Sequence, residues 1–562
     1  MPRPHLTVLA LIMAGLLPLP AKADGGQAGA YLAARQASIR NDFAEAAKWF
    51  DRVLLSDPNN PALLEGAVAA HLAVGQITEA ATIGRVLLTG GTSNQIASLA
   101  VLTAHAQSGD FNQILTDLAA GNTIGAVIDR LMAAWAKIGT GNITTALADF
   151  DAIIATPGTG AFGIYHKALA LASSGDFEGA DRLLSTPDAA PALQLRRAVL
   201  AQVQILSQLE RNTDAIALID RAFGTRLDPG MFDTRRRLLA GETLAFDIVR
   251  NAADGMAEVF FTLATALNDQ ADQTYILLYI RAAAALRPDH VEAQLTAAGI
   301  LDKLERFELA IEALDAVPAT DPAFASARIG QADAAIMLGR TDDAVAILKD
   351  LVALKPEDIS AQTALGDALH RQDRCDLAIL AYSAAIALVP EPAPDNWPLF
   401  YKRAGCEFQN DNWPDAEADF RRALALAPDE PRLLNELGYS YVDRGENLAE
   451  ALDMIQRAVA ASPETGYIVD SLAWAYFRLG RFAEAVAPQE KASRLMPVDP
   501  IVTDHLGDIY WMVGRKREAQ FQWRRALSFD PVEEEKPRIQ RKIEVGLDVV
   551  LQEEEAAKSN GN

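Results

Sequence analysis

PIVTDHLGDIYWMVGRKREAQFQWRRALSFDPVE, residues 500–533, is the stretch of sequence that decides the fold. Gly507 and Tyr510 lie one turn or less apart on one face of a first helix, and that face meets a second helix that contains Ala519. Because Gly507 and Ala519 are small, the two helices can cross closely. Gly514 permits the tight turn between them. The stretch therefore predicts a helix–turn–helix unit.

The same unit recurs through most of the chain, with most steps 34 or 35 residues long. Two sets of residues keep this interval independently of each other. Counted with Pro500 as position 1, position 20 is held by Ala46, Ala80, Ile114, Ala146, Ala180, Ala215, Ile276, Ala310, Ala344, Ala378, Ala416, Ala451, Ala485 and Ala519. Prolines that would end the second helix stand at Pro356, Pro390, Pro428, Pro463, Pro497 and Pro531. A period of this length indicates a solenoid of stacked repeats.

The filled positions of residues 500–533 are those of the tetratricopeptide repeat (TPR), and the chain resembles that family over nearly its whole mature length. The resemblance implies an all-α superhelical solenoid, here of about fourteen helix–turn–helix repeats, that binds other proteins. The repeats depart from the pattern at several places. The step from Ala215 to Ile276 is 61 residues, and Val68 and Leu102 stand where the family has glycine.

These departures divide the chain into five predicted parts. They are a cleaved signal peptide (1–23), a degenerate TPR array (24–227), an irregular helical linker or bend (228–256), a regular TPR array (257–532), and a C-terminal capping helix with a frayed tail (533–562). A polar capping helix is what the last unit of a solenoid needs, because its outer face has no further repeat to cover it.

The first residues have the pattern of an export signal. Arg3 precedes an apolar run from Leu6 to Leu17, and small residues flank Lys22 at the end of the segment. We expect cleavage after Ala23 and a periplasmic mature protein; an uncleaved anchor is the alternative. The formal net charge of -24 argues against a nucleic-acid partner, and no later segment is long enough to span a membrane.

Catalytic motifs are missing from the sequence, which predicts a protein without enzymatic activity, cofactor or metal. None of the seven histidines is followed by glutamate, as a zinc-peptidase motif requires, and the sequence holds no nucleophile elbow or phosphate-binding loop. His370 and Cys375 could suggest a metal site, but two ligands at a helix turn are a weak pattern. An exposed turn is the favoured interpretation, with a different partner for the cysteine.

That partner is the second cysteine of the chain, Cys406. Cys375 falls at the start of the second helix of one repeat and Cys406 in the later half of the first helix of the next. In a TPR stack, as the resemblance implies, these two places meet, so the Cα atoms could lie within the 4.4–6.8 Å that a disulfide needs. An oxidising compartment would favour the bond. The alternative is two buried free thiols.

The family resemblance also implies where a partner would bind. Positions 2, 5, 9 and 12 of each first helix line the concave groove of a TPR superhelix. In the last four repeats these positions hold Tyr401, Phe408, Asn435, Tyr439, Tyr467, Asp470, Trp474, Phe477, Asp504, Asp508 and Trp511. The middle repeats lack such rings and place Asp367 and His370 there. We expect this aromatic, acidic stripe to bind apolar peptides with basic flanks. The alternative is that the rings pack against neighbouring helices.

The C-terminal block is similar to a narrower group of proteins. Its motifs are LNELGYSYVDRG (434–445), DSLAWAYFRLG (470–480) and DHLGDIYW (504–511). They resemble envelope TPR proteins that include adaptors of carboxyl-terminal processing proteases. The resemblance implies a periplasmic scaffold or adaptor that presents substrates to such a protease. The alternative function is a structural scaffold for an envelope assembly or polysaccharide export complex.

Overall fold

The computed structural model describes residues 27–89, 93–224, 227–267 and 270–560. Within these ranges the chain forms 31 α-helices and no strand, which confirms the predicted all-α repeat fold. None of the described helices is both long and apolar enough to span a membrane. The predicted signal peptide, residues 1–23, lies outside the described residues. The chain divides into two compact units, unit 1 up to Arg340 and unit 2 from Thr341.

Unit 1 contains eighteen of the described helices, most of which pack against their neighbours in the chain. They are α1 (Gln27–Ile39), α2 (Phe43–Leu54), α3 (Pro61–Ala73), α4 (Ile77–Thr89), α5 (Gln95–Ser108), α6 (Phe111–Ala119), α7 (Ala126–Gly139), α8 (Ile143–Ile154), α9 (Gly160–Ser173), α10 (Phe177–Leu184), α11 (Arg196–Gln208), α12 (Asn212–Phe223), α13 (Pro229–Leu239), α14 (Ala252–Leu267), α15 (Gln273–Leu286), α16 (Val291–Lys303), α17 (Phe307–Asp315) and α18 (Phe324–Met337).

Unit 1 also contains contacts that a simple linear array would not make. Helix α14 packs against α7 and α9, and α15 packs against α3 and α5. At one of these contacts Gly255 of α14 meets Trp135 so closely that an added Cβ would lie 2.3 Å from the ring. Next to it, the buried Glu258 carboxylate accepts hydrogen bonds from Arg197 (2.5 Å) and Tyr165 (3.3 Å). Distant repeats of unit 1 therefore share one core.

The interval 228–256, expected to be an irregular linker or bend, is an integral part of unit 1. It comprises α13, a non-helical segment over 240–251 and the first turn of α14. Two side chains of α11 satisfy backbone carbonyls of the non-helical segment. Gln208 donates to Leu244 (2.6 Å) and Arg197 donates to Ile248 (3.3 Å). The division into two compact units falls after Arg340.

Unit 2 contains the remaining thirteen described helices. They are α19 (Thr341–Leu354), α20 (Ile359–His370), α21 (Cys375–Ala387), α22 (Trp397–Gln409), α23 (Trp413–Leu426), α24 (Pro431–Arg444), α25 (Leu448–Ala461), α26 (Gly466–Arg478), α27 (Phe482–Leu495), α28 (Pro500–Met512), α29 (Lys516–Ser528), α30 (Lys536–Val545) and α31 (Leu547–Asn560). Two helices thus follow the last repeat where one capping helix was predicted, and α31 continues into the predicted tail.

The hairpins of unit 2 have small residues where the repeat frame predicts them, at position 20, in the second helix, and at a glycine of some first helices. The alanines at position 20, Ala344, Ala378, Ala416, Ala451, Ala485 and Ala519, are all 0% exposed. At two glycines of first helices, a large side chain of the second helix fills the space. A Cβ on Gly507 would lie 2.4 Å from Trp523, and one on Gly366 would lie 2.4 Å from Tyr382. Small residues thus set how closely each pair of helices packs.

The turn inside each hairpin is fixed by backbone conformation at position 15. Six successive residues at this position have positive φ: Gly339, Asp373, Asp411, Gly445, Gly480 and Gly514. Glycine adopts this left-handed region without steric cost, and aspartate is one of the few other residues that tolerate it. The same left-handed conformation therefore recurs along the array even where glycine is replaced, and the turn after Gly445 is one residue longer, with a second positive φ at Asn447.

The close crossing predicts opposite effects for two glycines of unit 2. Replacing Gly507 by alanine should lower the free energy of unfolding by about 1–3 kcal/mol, because the new methyl group collides with Trp523. Gly405 of α22 has no atom within 4 Å of the same added methyl group, so Gly405→Ala should raise stability by about 0.5–1 kcal/mol. Urea denaturation of both variants measures the difference. Equal stability of the two variants would contradict this packing.

Candidate functional site

A groove in unit 2 is the main candidate for a binding site. It encloses a cavity of about 750 Å³ between α20 and α24. Its lining combines aromatic rings with charged groups: Asp367, His370, Arg371, Tyr382, Tyr401, Lys402, Gly405, Phe408, Gln409, Phe420 and Glu436. A cavity of this volume can accept one or more side chains of a partner segment.

Two residues of the predicted stripe line this groove. Tyr401 is half-buried, and its ring packs against Trp397 (5.8 Å between centroids) and Phe420 (6.0 Å). Phe408 is 37% exposed and contacts Trp413 at its edge (6.0 Å). Both rings are thus held in place by neighbouring rings while one side stays open. A ring ordered in this way loses little entropy when it binds.

The charges in the groove are mixed, which corrects the expectation of an acidic groove. Asp367 accepts hydrogen bonds from the Tyr382 hydroxyl (2.8 Å) and from the Lys402 ammonium (2.6 Å). Arg371 adds a second cation to the lining. On the opposite wall, burial raises the pKa of Glu436. The groove therefore offers both signs of charge beside its aromatic rings, and basic flanks are not specially favoured.

The next part of the predicted stripe is partly accessible. Tyr467 is exposed and Tyr439 is half-buried, whereas Asn435 is buried. Burial, with the charge of Asp443, raises the pKa of Tyr439. None of the three lines the groove cavity. Tyr439 and Tyr467 are thus accessible rings outside the groove cavity.

In α26 the predicted residues are engaged in packing. The Trp474 ring stacks on Phe477 (4.6 Å between centroids) and on His505 (3.9 Å). Asp470 is buried, and its carboxylate lies 3.0 Å from His505 Nδ1. Although burial opposes the change, this carboxylate raises the pKa of His505. The sequence left open whether these residues bind a partner or pack against neighbouring helices. In the structure Asp470, Trp474 and Phe477 pack against neighbouring residues.

At the C-terminal end the stripe is covered by the chain itself. The fully buried Lys542 of α30 reaches Asp504 (2.6 Å) and Asp508 (2.7 Å). Burial and the neighbouring Asp508 raise the pKa of Asp504 to about 6, against the lowering effect of Lys542. Trp511 contacts Gly546 so closely that a Cβ there would lie 2.2 Å from the ring. Asp504 and Asp508 are therefore not available to a partner in this structure, whereas Trp511 is half-buried against Gly546.

Two side chains that line the groove but lie outside the predicted aromatic stripe belong to the preceding repeat. Asp367 and His370 occupy positions 9 and 12 of their repeat, which are groove positions in the same frame. They were passed over because that repeat has no rings at these places. The rings come instead from α21, α22 and α23, through Tyr382, Tyr401 and Phe420. The repeat frame places Asp367 and His370 at groove positions, but a criterion based on aromatic residues alone does not select them.

The cysteine pair differs from the predicted disulfide. Cys375 and Cys406 are both buried and both are free thiols. Their Sγ atoms lie within 4.8 Å of each other, and the Cys375 thiol donates a hydrogen bond to Gln409 Oε1 (2.9 Å). The repeat frame thus predicted their proximity, and the structure has the alternative of two thiols. A covalent bond would require the sulfurs to approach to about 2.05 Å.

The fold and groove define a helical-repeat protein of the kind that binds other proteins. A tetratricopeptide-repeat family model matches residues 329–396, 363–431, 401–465 and 435–500. The chain therefore contains tetratricopeptide repeats, as its sequence predicts. A curated relative, "TPR repeat-containing protein PA4667" of Pseudomonas aeruginosa, is 32% identical over 115 residues. This match spans 20% of the chain and 19% of the relative's length.

Solved structures with a similar arrangement of helices share little sequence with this chain. The APC/C hetero-tetramer Cut9-Hcn1 is 15% identical, with a TM-score of 0.38 and coverage of 93% of this chain and 96% of that chain. Yeast Tom70 is 13% identical, with a TM-score of 0.34 and the same coverage. A tetratricopeptide repeat protein from Parabacteroides merdae is 17% identical, with a TM-score of 0.37 over 46% of this chain and 98% of that chain.

The covering of the C-terminal end depends on one buried ammonium group. Replacing Lys542 by methionine should lower the free energy of unfolding by about 3–5 kcal/mol, because two buried carboxylates lose their main partner. Arg541→Met is the matched control on the same helix, since Arg541 forms an exposed pair with Glu553 and its loss should leave the stability nearly unchanged. Urea denaturation followed by tryptophan fluorescence compares the stability of the two variants. Equal stability of the two variants would show that Lys542 does not hold this end.

Proposed function

We propose that this chain is a periplasmic scaffold that binds a segment of a protein partner in the groove of unit 2. The observation that supports the proposal is the groove itself, where Tyr401 and Phe408 present open ring faces beside the Asp367–Lys402 ion pair. Aromatic anchors surrounded by polar groups are the usual source of affinity in protein interfaces. The chain acts in this proposal by holding its partner, not by catalysis.

The lining also defines the partner segment. An apolar or aromatic side chain of the partner would enter the cavity next to Phe420 and Tyr401. The cations Arg371 and Lys402 and the carboxyl groups of Asp367 and Glu436 would then meet polar groups that flank this side chain. Specificity in such a site comes from matching charge on both sides of the anchor.

A finer proposal is that the chain is an adaptor for a carboxyl-terminal processing protease. Its support is the resemblance of the motifs at 434–445, 470–480 and 504–511 to envelope adaptors of that kind. The second candidate, a scaffold for envelope assembly or polysaccharide export, rests on the same repeats without substrate delivery. Stimulation of a purified processing protease by the chain separates the two, because only an adaptor increases the rate of substrate cleavage.

Removal of one groove ring should release the partner. We expect Phe408→Ala to weaken capture from a periplasmic extract by about tenfold or more, as truncation of a central aromatic residue does in protein interfaces. Phe521→Ala is the matched control, because Phe521 of α29 is 62% exposed and lies outside the groove. Affinity purification with quantitative mass spectrometry compares the two variants with the unchanged chain. Equal recovery of the partner by all three chains would argue against the groove.

Export is tested separately from binding. If the segment up to Ala23 is a cleaved signal, mass spectrometry of the protein from a periplasmic fraction should find a chain that begins at Asp24. Ala23→Arg places a large charged residue at the cleavage site and should leave the segment attached. Recovery of an uncleaved chain from the cytoplasm of unmodified cells would refute the periplasmic location.

A further inference from the structure

Three side chains with metal-binding atoms come together at the edge of the groove. His370 ends α20, Cys375 begins α21, and Cys406 lies in α22. One ring nitrogen of the histidine and the two sulfur atoms all lie within 4.8 Å of one another. His370 and Cys375 are close along the chain, and the packing of consecutive hairpins brings Cys406 to them. Three ligands from three helices form a better site than two at a turn.

We propose that His370, Cys375 and Cys406 bind a soft divalent metal ion, with Zn²⁺ as the ion that this donor set fits best. Thiolate sulfur and imidazole nitrogen are the ligands found in tetrahedral zinc sites. With Zn–S bonds of about 2.3 Å and Zn–N bonds of about 2.0–2.1 Å, ligand atoms of such a site lie about 3.5–3.8 Å apart. The three atoms need to move together by only about 1 Å to reach that spacing.

The charge and burial of the cluster also suit this ion. Cys375 is 3% exposed and Cys406 is 0% exposed, so an unbalanced charge at their sulfur atoms would be costly. Two thiolates, each with a single negative charge, and one neutral imidazole balance the double positive charge of Zn²⁺. Each thiol releases its proton to solvent when the metal–sulfur bond forms, and no electrons are transferred. The bound cluster is thus neutral in its partly apolar surroundings.

A fourth ligand is present beside the cluster. The amide oxygen of Gln409 already accepts a hydrogen bond from the Cys375 thiol at 2.9 Å, so it lies where the ion would replace the thiol proton. His370 and Gln409 both line the groove cavity. Gln409 could therefore yield this position to water or to an oxygen, nitrogen or sulfur atom of a bound partner. Three protein ligands with one exchangeable position are typical of accessible zinc sites.

The same two sulfur atoms could form a disulfide instead of binding a metal ion. The surrounding side chains favour metal binding. A disulfide would need the sulfurs about 2.05 Å apart, a larger movement than coordination requires. It would also leave the histidine and the glutamine without a role at the cluster. A metal ion uses all four side chains at distances closer to those observed.

Titration of the reduced full mature chain with Co²⁺ and then Zn²⁺ tests the proposal. Co²⁺ should bind at one ion per chain and give a thiolate-to-cobalt charge-transfer absorption, which Zn²⁺ then displaces. Cys375→Ser and Cys406→Ser should each reduce that absorption and weaken binding by about tenfold or more, since each loses a direct ligand. His370→Gln should weaken binding while both thiolates remain. His105→Gln, a half-buried histidine of unit 1, is the control and should bind as the unchanged chain does.

A second measurement needs no variant, so a failure to fold cannot obscure the result. One equivalent of Zn²⁺ should protect both thiols of the unchanged chain from alkylation, as counted by mass spectrometry. Absence of the charge-transfer absorption, alkylation at an unchanged rate, or a disulfide that forms in the presence of Zn²⁺ would each overturn the proposal. The groove can bind a protein partner in every one of these cases, so this site and the proposed function fail independently.

Discussion

The close crossing of two helices within each repeat is the constraint on which the rest of unit 2 depends. It requires a small residue at position 20, and Ala519 and its counterparts fill that place without any exposed surface. Where glycine stands opposite, as Gly507 does, a ring such as Trp523 occupies the space that a side chain would have taken. Because every hairpin crosses in the same way, successive hairpins stack in one direction and leave the first helices to form a common surface.

The end of such an array needs to be closed, and the closure here determines where a partner can bind. Lys542 of helix α30 forms ion pairs with Asp504 and Asp508. These two aspartates occupy positions that would face a ligand in other repeats. Gly546 brings the chain against Trp511. Asp504, Asp508 and Trp511 of the last repeat therefore stabilise the C-terminal end of the fold. The open aromatic surface lies earlier, around Tyr401 and Phe408, which line the groove cavity.

Much of this could be predicted from the sequence, because the relevant information is local and periodic. The 34-residue period predicted the helical hairpins, and the small residues at fixed positions predicted that the two helices of each hairpin cross closely. The position of each cysteine within its repeat predicted that Cys375 lies close to Cys406. Three features depend on contacts between residues far apart in the chain. These are the packing of α14 and α15 on early helices of unit 1, the division after Arg340, and the path of α30 over the last repeat. The path of α30 also decides which residues of the predicted stripe are buried, namely Asp504 and Asp508.

Hydrogen–deuterium exchange on the complex with the captured partner tests the central claim most directly. This claim is that the groove of unit 2 binds the partner while the C-terminal end remains closed by its own helices. The account predicts slower exchange in α20 and α22 when the partner is bound, and unchanged exchange in α28 and α30. Slower exchange in α28 and α30, with none in α22, would contradict it, because the partner would then occupy the surface that Lys542 covers.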